Sequence, residues 1–134
     1  MVLSKDQILN APDIVYETID VPEWGGKIKV KSLTGDERDG WEQSIIDMRG
    51  NVAAAKLAGA QARLCALTIV DDDGKQLFTN SDVKALGAKS ALALARVFEV
   101  SKRLSRLTDE DVDKVLGNSE SVQSESSTTD SPSL

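Results

Sequence analysis

The sequence predicts a mainly helical α+β domain, in which an N-terminal β-hairpin is followed by a helical bundle. The hairpin is indicated by residues 14–21, which are rich in β-branched side chains, and by residues 27–31, which alternate lysine with isoleucine or valine. The bundle is indicated by apolar residues that recur at intervals of three and four beyond residue 34. Each element has its own local signal.

The chain begins with a short helix. Ser4 and Gln7 have the spacing of a capping box, in which each side chain pairs with a backbone N–H at the helix start. This spacing predicts a helix over about residues 5–10, which has to end before Pro12 because the residue before a proline disfavours helical geometry.

The hairpin strands are joined at Gly25-Gly26, which supplies the backbone freedom that a tight reversal after Pro22 requires. The strands are expected to pair antiparallel. Because side chains alternate between the two faces of a strand, Ile28 and Val30 face the core. Three lysines share the opposite face: Lys27, Lys29 and Lys31.

Two longer helices are predicted next. Thr34 and Glu37 form a second capping box, so a helix begins at about Gly35 and continues to residue 48 before Gly50 ends it. Its core-facing stripe is Trp41, Ile45 and Met48. An alanine-rich helix over residues 52–68 follows, with one apolar row made of Leu57, Ala60, Leu64 and Leu67.

Asp73-Gly74 predicts a tight turn or a small hairpin between this helix and a short one over residues 80–86. The run of aspartates before Gly74 also resembles a calcium-binding loop. An EF-hand loop, however, has its glycine at the sixth position and an acidic or amide ligand at the first, and here the first position is Ile69. A solvated turn is the better interpretation.

The longest predicted helix covers about residues 91–107 and is apolar around more than one face, which predicts burial on two sides. Either its own domain encloses it, or one side is an interface with another subunit or a client protein. Its last turns carry Lys102, Arg103 and Arg106, which complement the negative end of the helix dipole. A final short helix begins after Thr108 and ends at Gly117.

Residues 1–117 therefore form a single globular domain, and residues 118–134 form a tail rich in serine and glutamate. The tail is predicted to be disordered because Val122 and Leu134 are its only sizeable apolar residues, too few to offset the entropy of ordering. It acts either as a flexible tether that orders on a partner or as an inert solubilising end. Its three acidic residues leave a net charge of −3 on residues 1–117.

The overall charge argues against several classes of partner. A formal net charge of −6 and an isoelectric point near 4.6 do not favour nucleic-acid binding, which depends on neutralising phosphates. No apolar run is long enough to span a membrane or to act as a secretory signal, so a cytoplasmic protein without a membrane partner is expected.

The sequence predicts no enzyme. It has no histidine, no pair of cysteines, and neither a phosphate-binding loop nor a nucleophile elbow. Catalytic, cofactor-binding and metal-ligating residues are therefore not expected. The single cysteine, Cys65, lies in the alanine-rich helix and is interpreted as a small buried hydrophobic residue.

The order of these features resembles one known family. The hairpin loop at Trp24-Gly25-Gly26, the Leu33-Thr34-Gly35 start of the next helix, and the segments 69–79 and 82–87 follow one another as in the tail assembly chaperones of long-tailed bacteriophages. The resemblance covers about residues 1–117, and it depends on the order and spacing of the pieces together.

This resemblance implies a chaperone that self-associates and coats the tape measure protein, keeping it soluble until tail-tube proteins polymerise around it. Such a protein acts in the host cytoplasm and is absent from the mature virion. In many such phages a translational frameshift also makes a longer form that recruits tail-tube protein, and this chain would be the short form.

For the protein-interaction surface, the sequence favours Trp24 in the hairpin loop and four residues of the longest helix: Leu94, Val97, Phe98 and Leu104. Trp24 has an alternative role, since tryptophan is commonly buried in a core and can fold back over the hairpin. Two other functions remain open: a head-tail joining or minor tail component of the virion, and a small acidic mimic of nucleic acid.

Overall fold

A computed structural model describes residues 1–47 and 57–117, with only the backbone described at residues 57 and 58. It confirms the mainly helical α+β fold with an N-terminal hairpin. The elements are α1 (Lys5–Asn10), β1 (Tyr16–Val21), a 3-10 turn (Pro22–Trp24), β2 (Gly26–Lys31), α2 (Gly35–Asp47), α3 (Leu57–Thr68), β3 (Ile69–Val70), a second 3-10 turn (Asn80–Asp82), α4 (Val83–Gly87), α5 (Ala91–Ser105) and α6 (Asp109–Leu116). The predictions for Met48, Gly50, residues 52–56 and the tail 118–134 lie outside the described residues.

The hairpin has the predicted antiparallel pairing, with Tyr16 opposite Lys31 and Val21 opposite Gly26. Gly25 has φ 76°, a left-handed conformation that glycine adopts without strain and that reverses the chain after the 3-10 turn. β1 begins at Tyr16 rather than at residue 14. At the preceding residue, the backbone N–H of Val15 donates to the Ser32 hydroxyl at 3.0 Å.

The pairing of a third strand with the N-terminal hairpin was not predicted. β3 contains only Ile69 and Val70, both buried, and it pairs antiparallel with β2 through Val70 opposite Lys29 and Ile69 opposite Val30. The preceding helix ends at residue 68, as predicted, but two residues are too few for a periodic signal that would indicate this pairing.

The predicted Asp-Gly turn follows β3 directly. The Asp71 carboxylate accepts hydrogen bonds from the backbone N–H groups of Asp73 and Lys75, at 2.8 and 3.0 Å, and Gly74 has φ 85°. These bonds lower the pKa of Asp71, the bond from Lys75 having the largest effect. A single β-bridge between Val70 and Gln76 closes the turn.

The predicted capping boxes are present. At the start of α2, the Glu37 N–H donates to the Thr34 hydroxyl at 3.1 Å, and the Thr34 N–H donates to the Glu37 carboxylate at 2.9 Å. Glu37 also forms an ion pair with Lys31. As a result, the lysine face of β2 is exposed at Lys27 and buried at Lys31, which is 7% exposed.

The core forms where α3 packs against α5, α4 and α2. Ala60 and Leu64 of the predicted apolar row are fully buried, and the hydroxyl oxygens of Thr68 and Ser101 lie 2.7 Å apart between α3 and α5. Cys65 is buried beside them, as predicted, and burial raises the pKa of its thiol to about 12. The thiol is therefore neutral at neutral pH.

α5 ends at Ser105, two residues before the predicted end. Arg106 adopts a left-handed conformation with φ 59°, which terminates the helix without a glycine. Lys102 is 8% exposed and forms ion pairs with Glu99 and Asp109. The predicted interaction with the helix dipole is thus accompanied by specific partners, one of them in α6.

Trp41 holds α2 on the core. Its side chain is 2% exposed, and its indole N–H donates to the Ala60 carbonyl of α3 at 3.0 Å. The predicted stripe is confirmed at Trp41 and Ile45, the two buried residues of α2.

Replacing Trp41 by Phe is expected to destabilise the protein by about 2–4 kcal/mol, because the smaller ring leaves space in the core and the Ala60 carbonyl loses its donor. Urea unfolding followed by circular dichroism measures this change. Substitutions at ordinary surface positions change stability by up to about 0.5 kcal/mol. A loss no larger than that would show that the indole does not hold α2 in place.

Candidate functional site

The longest helix, α5, contacts both α3 and the hairpin, as expected for a helix buried on two sides. An exposed stripe remains along it, and in its first turn Leu92 is 63% exposed. Two ion pairs from this stripe reach the hairpin: Arg103 Nη2 lies 2.7 Å from Glu17 Oε2, and Arg96 Nη2 lies 3.0 Å from Glu23 Oε2. α5 thereby fixes the position of the hairpin.

The structure places three of the predicted interaction residues in the core. Leu94, Val97 and Phe98 are 3%, 0% and 2% exposed, and Leu104 is half-buried against the same core. In this conformation the chain's own domain covers them, because α3 and the hairpin occupy both sides of α5. Their contact with a partner stays a prediction, and it requires α5 to move.

Trp24 lies at the tip of the hairpin and is half-buried against the core. Its ring folds back onto the domain, but its Nε1 atom is buried and has no hydrogen-bond acceptor within the described ranges. A buried donor without a partner costs about 1–3 kcal/mol. Trp24 thus combines features of both alternatives, since its ring packs on the core while its polar atom is left for an acceptor from elsewhere.

A cleft of about 560 Å³ opens beside this indole, between the hairpin tip and α4. We call it the Trp24 cleft. Its volume is in the range of ligand-binding pockets. Seven residues line it: Glu23, Trp24, Phe78, Asp82, Ala85, Leu86 and Lys89. Aromatic and aliphatic side chains provide its apolar surface, and charged groups lie around them.

The charged groups of the cleft differ in their availability. Arg96 donates two hydrogen bonds to the Glu23 carboxylate, at 3.3 and 3.0 Å, and these bonds lower the pKa of Glu23. Asp82 accepts from the Thr79 N–H at 2.9 Å. Lys89, in contrast, forms no ion pair with any residue of the described ranges. The exposed Lys89 ammonium is a donor, and the buried Trp24 N–H becomes a second one only when the indole moves, so the cleft suits an apolar ligand that carries acceptors.

A second apolar feature lies at the other end of the hairpin. Residues 1–13, which we call the N-terminal arm, are all exposed, and α1 within them buries no residue. Leu3, Ile8 and Leu9 are 64%, 57% and 70% exposed. The sequence predicted α1 but not its exposure. The available signal was the spacing of Leu3 and Ile8, which matches a hydrophobic staple on a helix too short to stand alone.

Within the described residues, no group of three or more acidic, histidine or cysteine side chains is arranged to hold a metal ion. No helix of those ranges is both long and apolar enough to cross a membrane. The structure has an apolar cleft with the exposed Lys89 at its edge and an exposed apolar arm. Both features are suited to contacts with other proteins.

The fold is that of a small, mainly helical α+β domain with an apolar cleft at its hairpin tip. The family model for phage tail assembly chaperones matches residues 4–115, and the chain belongs to this family. This confirms the resemblance seen in the sequence and gives the protein a role in phage tail assembly, in a family of chaperones and not of enzymes. No curated protein and no solved structure matches the chain.

Replacing Trp24 by Phe is expected to change the free energy of unfolding by less than about 1 kcal/mol, since the lost ring atoms are offset by removal of an unpaired buried donor. Urea unfolding of the Trp24→Phe and Trp41→Phe variants, measured in parallel, compares the two changes in free energy. Equal losses in the two variants would show that the Trp24 N–H has a partner within the monomer.

Acid is expected to weaken the link between the hairpin tip and α5. The pKa of Glu23 is lowered in the folded protein, so its contribution to stability is present above the unfolded value of about 4.5 and is lost as the pH falls through the lowered value. Melting temperatures from pH 6 to pH 3 measure this loss. Glu23→Gln is expected to lose less stability over that range than wild type, whereas the control Glu110→Gln is expected to follow wild type.

Proposed function

We propose that this protein binds the tape measure protein and keeps it soluble until tail-tube proteins polymerise around it. The observation that supports this most is the presence of the Trp24 cleft, with its unpaired donors, in a member of the tail assembly chaperone family. The action is non-enzymatic and consists of reversible binding by several self-associated copies.

The physical requirements of such a chaperone agree with the chain's surface. A long helical client with apolar stripes aggregates unless those stripes are covered. A reversible binder therefore needs limited apolar patches on a charged surface, and here the arm and the cleft are set in a chain of net charge −6. The like charge of the bound copies also helps to keep the complex in solution.

Trp24 is the contact residue that we favour. Leu94, Val97, Phe98 and Leu104 belong to the proposal as residues that hold α5 beneath the hairpin tip, and their direct contact with a client would need α5 to leave the core. We further propose that a longer, frameshifted form brings the tail-tube protein to the complex.

The proposed place of action is the host cytoplasm, and the protein leaves the complex before the virion is complete. Nucleic acid and membranes are not part of this proposal, since its surfaces are apolar and acidic rather than basic. A structural component of the virion, by contrast, would stay in the finished particle.

Co-expression with the tape measure protein of the same genome tests the proposal. The tape measure protein is expected in the soluble fraction only when this chain is present, and light scattering of the purified complex is expected to show several copies of the chain per client. The apolar stripes of the client are the physical reason, because they aggregate when uncovered.

The matched control is Glu110→Gln, a surface change on α6 outside the cleft and the arm. It is expected to behave as wild type in the same co-expression. An insoluble client beside a monomeric chain would contradict the proposal, and finding the chain in finished particles would favour the virion component.

A further inference from the structure

The N-terminal arm is a helix without a core. Two turns of isolated helix are marginal in water, yet α1 has a complete capping box between Ser4 and Gln7, at 2.8 and 3.2 Å, and places Ile8 and Leu9 side by side. None of its apolar residues is buried by the rest of the chain that the structure describes, residues 14–47 and 57–117. Its apolar side is therefore left for another molecule.

We propose that the arm of one copy docks in the Trp24 cleft of a second copy. This names the surfaces by which copies associate, and it rests on the self-association in the proposed function but not on the client. Arm and cleft match in their apolar side chains, in the donors of the cleft and the acceptors of the arm, and in their positions on the hairpin.

The apolar match is direct. The cleft presents Trp24, Phe78 and Leu86 as its apolar surface. The arm presents the exposed pair Ile8 and Leu9. Covering these side chains removes apolar area from water on both partners, which is the main source of affinity between proteins.

The polar groups of the two surfaces are also complementary, with hydrogen-bond donors in the cleft and acceptors on the arm. Among the described residues the cleft leaves the Lys89 ammonium exposed and without an ion pair, whereas the Trp24 N–H is unpaired but buried and meets an acceptor only when the indole moves. The carbonyl end of a helix carries partial negative charge, and some of its carbonyl groups lack partners within the helix. In the arm the Ile8 carbonyl is already bonded, since it accepts from the Ala11 N–H at 3.2 Å. In the arm this acceptor end directly follows Ile8 and Leu9, and the Asp13 carboxylate stands just beyond it. Apolar groups and acceptors thus come in the combination that the cleft requires.

The hairpin separates each arm from its own cleft. Tyr16, where the arm joins β1, pairs with Lys31, whereas the cleft adjoins the opposite end of the hairpin, where Val21 pairs with Gly26. Six residues of strand span about 17 Å. A second copy placed head to tail brings an arm to a cleft directly. Because arm and cleft are different surfaces, each copy in such a pair keeps one of them free for a further copy.

Cross-linking between two single-site variants tests this contact. Leu9→Cys places a thiol on the arm, and Ala85→Cys places one at the rim of the cleft. The native Cys65 is silent because burial raises its pKa to about 12 and a thiol has to ionise to react. A size-tagged Leu9→Cys protein is mixed with untagged Ala85→Cys protein and treated with a short bismaleimide. The mixed dimer is expected to be the main product.

The control mixture replaces Ala85→Cys by Glu110→Cys, an exposed site on α6. A mixed dimer that forms no faster with Ala85→Cys than with Glu110→Cys would overturn the proposal. So would a double variant, Leu9→Cys/Ala85→Cys, that cross-links only within one chain, because the arm would then fill its own cleft.

A second set of variants measures the energy of the contact. Ile8→Ser/Leu9→Ser is expected to weaken self-association by about 100-fold in sedimentation, while the melting temperature of the monomer stays the same. Trp24→Phe, which removes the donor but keeps a ring, is expected to weaken it by about tenfold. Unchanged self-association in both variants would overturn the proposal.

Client solubility separates this proposal from the proposed function. Suppose that the arm variants self-associate as wild type and that the cross-linking mixture gives no preferred mixed dimer, while the wild-type chain still solubilises the tape measure protein. The arm contact is then wrong and the chaperone function stands. If the Leu9→Cys and Ala85→Cys proteins cross-link as expected but the client stays insoluble with the wild-type chain, the arm contact stands and the proposed function is wrong.

Discussion

The burial of α5 is the constraint on which the rest of the structure depends. Its inner side packs on α3, where the Thr68 and Ser101 hydroxyl groups meet, and its outer stripe holds the hairpin through Arg96 and Arg103. The hairpin tip carries Trp24, so the position of the cleft is set by this helix. A change that loosens α5 is therefore expected to affect the cleft as well as the core, even at residues that no partner touches.

Local signals in the sequence predicted most of the elements, because caps and turns are made by residues close together in the chain. The boxes at Ser4, Thr34 and Thr108 and the turn at Gly74 are examples. Contacts between distant residues were not predictable in this way. The third strand is too short to be periodic, and the alternation of β2 does not reveal that Lys31 is buried and pairs with Glu37 of the next helix.

The candidate site was also predictable only in part, because it depends on contacts between residues that are distant in the chain. Periodicity marked α5 as apolar on more than one face, but it did not distinguish a face covered by the chain's own domain from one left for a partner. Leu94, Val97 and Phe98 are of the first kind in this structure. The cleft forms between the hairpin tip and α4, which are more than fifty residues apart in the chain, so no local sequence pattern indicated it. The hairpin loop did identify Trp24, whose aromatic ring at a glycine turn was unusual enough to single out.

The N-terminal arm and the Trp24 cleft explain how copies of the proposed chaperone bind one another. Each copy carries an apolar arm at one end of its hairpin and, at the other, an apolar cleft with the exposed Lys89 and the buried, unpaired Trp24 N–H. Hydrogen exchange of the chain at low and high concentration, followed by mass spectrometry, tests most directly that these are the binding surfaces. Amides of residues 1–13 and of the Trp24 cleft are expected to gain protection together as copies associate, if these are the surfaces by which the copies bind. Protection confined to α2 and α6, with the arm and the cleft unchanged, would contradict it.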